Sequence, residues 1–137
     1  MNNYGSMTQV ELQSAGLKLA KTLREMDDDL TAWSRVRELM RLQEVIQAKT
    51  DEEHRAIYEC YSSERDQRRE EVKKRFCDEF RMEAMLLYEE LLSRTGEKKA
   101  WLPQLESGRP KGPLALDQIA DEIEKVSRKL TSRGPVN

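Results

Sequence analysis

Few residues of this chain have types and spacing suited to chemistry. Its one histidine, His54, follows three acids in Asp51-Glu52-Glu53-His54. Asp51-x-x-His54 is half of the carboxylate-and-histidine spacing that holds metals inside helical bundles, where one turn aligns the two ligands. The full arrangement needs a second such pair on another helix, and there is no second histidine. The acids are better used in the first turn of a helix, where they complement its dipole. Cys60 lies two residues beyond the single turn that would align it with His54, so a Cys–His nucleophile is a poor reading. Asp27-Asp28-Asp29 reads as a cap and turn, not a metal site. With no glycine-rich phosphate loop and no zinc-ligand spacing, the expectation is no enzyme, no cofactor and no metal.

Two other clusters offer binding in place of catalysis. Arg65, Arg68, Arg69, Lys73, Lys74 and Arg75 lie along about three helical turns and could follow a phosphate backbone. Six cations against four acids leave a net charge of only +2 over residues 62–75. That composition fits a solvated, ion-paired face better than a nucleic-acid site, and no aromatic side chain sits among the cations to stack bases. The second cluster, Ala100-Trp101-Leu102-Pro103-Gln104-Leu105, is apolar within a polar loop. Trp101 with Leu102 could anchor a partner, but the favoured reading folds Trp101 back onto the helices, because an exposed Trp-Leu pair invites association.

Charged residues make up 36% of the 137, and hydrophobic ones 37%, a balance that suits elongated helical proteins over thick globular cores. The formal charge of −2 provides no overall field to steer polyanions. No run is apolar enough for a membrane span, and the polar first residues do not resemble a secretion signal. A cytoplasmic, reducing setting is expected, with nuclear residence compatible. Cys60 and Cys77, about 26 Å apart on one helix, are too distant to pair within the chain.

The elements that must carry these residues are all helical. After a flexible tail, 1–6, apolar positions recur at helical spacing over 7–26, and Gly16 among them reads as a tolerated glycine in preference to the mark of a close helix crossing. The three aspartates end this helix and start a second over 30–48, since acids oppose a helix C-terminus and favour an N-terminus. Ala32, Trp33, Val36, Leu39, Met40, Leu42, Val45 and Ile46 give that second helix a face broad enough for more than one packing neighbour. Thr50 with Glu53 makes a capping box that opens a helix over 51–95, leaving a tight link and hence an αα-hairpin. The stretch from Ser62 to Glu71 has no hydrophobic residue, and Ser63 to Asp66 offers a second capping signal. Even so, a continuous helix with a solvent-exposed middle is the favoured reading, ended by Gly96. A loop, 96–114, leads to a helix over 115–131, and residues 132–137 form a tail.

Length turns this into an architecture. A helix over residues 51–94 would measure about 66 Å, nearly twice the roughly 35–40 Å width of a compact domain of this size. The prediction is one elongated all-α domain over 7–131, bundled or coiled-coil-like around that helix. Stripes at Val72, Phe76 and Phe80, and a seam at Leu116, Ile119, Ile123, Val126 and Leu130, then want partners. The expected function is a protein–protein interaction module, an adaptor, scaffold or inhibitor working through helix faces as a homodimer or complex subunit. The alternative is a small nucleic-acid-associated regulator using residues 65–75.

Overall fold

Thr8 and Glu11 begin the first long helix. Thr8 Oγ1 accepts from the Glu11 N–H at 3.1 Å, and Glu11 Oε1 accepts from the Thr8 N–H at 3.0 Å, completing a capping box. In a computed structural model, which describes residues 3–106 and 114–132, helix α1 then runs unbroken from Gln9 to Gln47. The expected boundary at Asp27–Asp29 is absent, and the helices read as 7–26 and 30–48 are one. Aspartate costs a helix interior only about 0.7 kcal/mol relative to alanine. A break would instead strand the amides and carbonyls of two new helix ends, with neither glycine nor proline there to form the turn.

Ala48 leaves the helix in an extended conformation, and Thr50 caps α2 (Asp51–Arg75) by accepting from the Glu53 N–H at 3.1 Å. The Glu53 carboxylate turns back to the Lys49 N–H, at 3.0 Å, so only half of the expected box forms. Beyond α2 come a π-helical turn, Phe76–Phe80, and α3 (Arg81–Thr95), with no break in helical backbone from 51 to 95. The signal at Ser63 opens no new helix. Gly96 takes the left-handed conformation at φ 71° and ends α3, its N–H donating to Leu92 O at 2.9 Å. A short helix, α4 (Pro103–Glu106), interrupts the expected loop, and α5 (Leu116–Ser132) closes the fold. All regular structure among the described residues is helical.

Because α1 is continuous and turns back through three residues, its first half lies beside α3, at the far end of the long helix. Leu12, Leu19 and Leu23 of α1 share one core cluster with Phe76, Leu87, Tyr88 and Leu91, and α5 adds Leu116, Ile119, Ile123 and Val126 to it. Gly16 is the close crossing, since a Cβ there would overlap Ser127 Oγ. Arg24 of α1 ties to Asp121 at 2.7 Å and to Glu124 on α5. This three-helix body, with Phe76 of the π-helical turn, contains most of the buried hydrophobic residues of the described chain.

Two peripheral segments close on the body. Tyr4–Ser6, expected in a free tail, forms a 3-10 turn. Tyr4 is buried, its hydroxyl donates to Glu83 Oε1 at 3.2 Å, and Arg94 Nη2 donates to the carbonyls of Tyr4 and Gly5. After Gly96, Tyr88 Oη accepts from the Ala100 N–H at 2.9 Å and donates to Glu122. Burial pushes that phenol up to about 12. Leu102 and Leu105 are buried and secure the segment. The expected tail over 132–137 lies outside the described residues apart from Ser132. No helix of the described residues is long and apolar enough to cross a membrane.

Candidate partner-binding face

Beyond Met26, α1 has no buried residue, and α2 has none at all. These segments form a two-helix arm that projects from the body by about 30 Å, given the 1.5 Å rise of each helical residue. The interior of the arm is polar. Arg37 Nε donates to Glu64 Oε2 at 2.6 Å, and the ion pair raises the guanidinium pKa while lowering that of the carboxylate. Arg41 stacks 4.7 Å from the Tyr58 ring centroid and 5.5 Å from that of Tyr61, and Arg68 lies 5.2 Å from Trp33. Nη1 of Arg41 is buried with no hydrogen-bond acceptor among the described residues, and such an orphaned donor costs about 1–3 kcal/mol.

The apolar residues of the arm point the other way. With Trp33, Arg37 and Arg41 turned toward α2, helical periodicity of 100° per residue places Ala32, Val36, Leu39, Gln43 and Ile46 on the opposite face. Val36 is 60% exposed, Leu39 64% and Ile46 82%, with Met40 and Leu42 about half exposed on either side. The broad face expected on residues 30–48 therefore exists. One flank of it meets α2, and the rest meets solvent.

The interaction residues expected from sequence fall elsewhere. Leu116, Ile119, Ile123, Val126 and Leu130 form the seam on α5, but α1 and α3 already cover it. Phe76 and Leu102 are buried in the same core, and Val72 and Phe80 pack at its edge. Trp101, expected to fold back, is 77% exposed, because its neighbours Leu102 and Leu105 supply the anchoring. Sequence reasoning noted the breadth of the α1 stripe but assigned it no site. The signal was the 4-3-4-3 spacing of residues 32, 36, 39, 43 and 46.

The basic run is dispersed by helical geometry. Arg65 packs at Tyr61 and Arg68 over Trp33, and Arg75 lies near the Phe80 ring and 3.2 Å from Glu79. Lys73 faces Glu70 at 4.0 Å, and Lys74 is exposed. Arg69 and Lys73 line a groove of about 810 Å³ where the arm meets the body, together with Asp27 and Glu38 of α1 and with Asp66 and Glu70 of their own helix. Its mixed charge favours no single ligand class.

His54 is half-buried near the tip of the arm, and Cys60 is exposed, its thiol donating to Glu64 Oε1 at 3.4 Å. Both cysteines are free thiols. Among the described residues, no three histidine, cysteine or carboxylate side chains converge to hold a metal. No protein-family model, curated protein or solved structure matches this chain.

Proposed function

We propose that this protein is a non-enzymatic interaction module, an adaptor, scaffold or inhibitor that binds a helical protein partner through the outward face of its arm. The observation that carries the reading is the inverted polarity of the arm. Arginines occupy the space between α1 and α2, while Val36, Leu39 and Ile46 face water. Contiguous exposed apolar surface of more than a few hundred Å² is uncommon on a free monomer and marks contact sites. Separating the face from the core also frees it to bind without disturbing the body. Trp101 offers a second, smaller anchor. A reducing cytoplasmic setting agrees with the two free thiols.

The deciding experiment isolates the tagged protein from its native cells without denaturation and measures the mass of the intact complex. Wild type is expected in a complex, and Leu39→Lys with Ile46→Lys is expected as a folded monomer. A wild-type monomer would end the reading, and an undiminished complex from the double variant would remove the arm face from it.

A further inference from the structure

We infer that the outward face of the arm is covered by the same face of a second copy of this chain, the two α1 segments running antiparallel about a two-fold axis. This rests on the reading above and names its partner. Three observations support self-pairing.

The seam is self-complementary in shape. Ala32, Val36, Leu39, Gln43 and Ile46 alternate steps of four and three, the repeat by which two helices interlock side chains along a shared line. Centring the two-fold axis near Arg41 sets Val36 against Ile46 of the other copy and Leu39 against its Gln43. Met40 and Leu42 flank the line on both sides.

The area is also sufficient. Five side chains with about half or more of their surface open offer roughly 500 Å² of apolar area per copy. With a polar rim, the pair reaches the roughly 1,200–2,000 Å² typical of specific interfaces.

Charge then selects both partner and direction. In a chain as charged as this one, the seam is nearly neutral. Glu38 and Glu44 are engaged with Arg41 and Arg37 of their own arm, leaving Arg35 beside the line. A strongly charged partner would find little to pair with, whereas a second uncharged seam fits. Parallel pairing would set Glu25, Asp28 and Asp29 of the two copies against each other, a like-charge clash that antiparallel pairing avoids by ending short of them.

The test uses the purified full chain alone, in a background where Cys60 and Cys77 are serine. Sedimentation equilibrium should show a dimer at micromolar concentration. Gln43→Leu, which removes the one polar residue of the seam, should tighten it at least tenfold, and Leu39→Lys should give a monomer with unchanged helicity. Under mild oxidation, Val36→Cys combined with Ile46→Cys should yield a covalent dimer, and each single variant should yield little. Efficient self-linking by Val36→Cys alone would overturn the antiparallel arrangement. A wild-type monomer here would overturn the second copy, while a complex recovered from cells would leave the broader interaction reading intact.

Discussion

Gly16 and Ser127 meet where α1 crosses α5, with no room between them for a methyl group. A Cβ on Gly16 would overlap Ser127 Oγ and stand 3.0 Å from Ser127 Cβ. The hydroxyl is also committed, donating to Ile123 O at 2.6 Å. Gly16→Ala should therefore destabilise the protein by about 1–3 kcal/mol, as overpacking does, despite alanine's better helix propensity. Urea unfolding would measure the loss. Adding Ser127→Ala should recover only part of it, since the two β-carbons remain crowded.

Asp27 supplies a pH dependence. Burial, then the Asp117 carboxyl hydrogen-bonded beside it, then Asp28 push it up to about 6, from an ordinary value of 3.8. In the window between those values the native state holds a proton that the unfolded chain has released. Stability should thus rise as pH falls from 7 toward 4. Asp27→Asn should raise the melting temperature at pH 7, by on the order of 1 kcal/mol of stability after allowing for solvent screening. The advantage should close toward pH 4, and thermal melts of both proteins across that range check it.

Body and arm should differ sharply in local stability. Leu23 is fully buried, and Leu23→Ala should cost about 2–5 kcal/mol. Leu39→Ala, measured in dilute solution where any association is lost, should cost less than about 1 kcal/mol. Amide hydrogen exchange should show the same contrast, with residues 36–46 and 54–64 opening well before residues 12–23 and 84–91.

Arg94 holds the N-terminal turn. Its Nη2 donates to the carbonyl of Tyr4 at 3.0 Å, and its Nε to Glu90 Oε2 at 2.9 Å. Arg94→Ala should release that turn at a cost of about 1–2 kcal/mol, since charged donors make the stronger hydrogen bonds. Faster proteolysis ahead of Thr8, with α1 intact, is the expected readout.

The helical class, the cap at Thr50, the end at Gly96 and the continuity from 51 to 95 were all legible from residue type and spacing. The join at Asp27–Asp29 misled because dipole arguments concern helix ends, and nothing in three consecutive aspartates reveals that an end is absent. Taking α1 as two pieces then misplaced the packing. With two short helices in place of one long one, the seam on α5 appeared to need a foreign partner, whereas the first half of α1 reaches back to cover it. The polar middle of α2 was read correctly as lacking an ordinary core, but Glu64 and Arg68 take partners from α1 that lie too far away in sequence to pair by periodicity. Gly16 offered a close crossing only as the lesser reading, because a glycine in a helix shows a missing side chain and not the neighbour that requires it.

The π-helical turn at Phe76–Phe80 has a counting consequence. The Arg81 N–H reaches back five residues to Phe76 O, so the turn absorbs one residue beyond the α-helical repeat. That residue shifts the phase of everything after it by roughly 100°. The long helix is thereby two helices in angular terms, one keyed to the arm and one to the body, spliced with no loop between them. Removing a single residue from the splice would leave both halves helical yet rotate Leu87 and Leu91 out of line with α5. Along this stretch, the fold depends on the number of residues as well as on their kind.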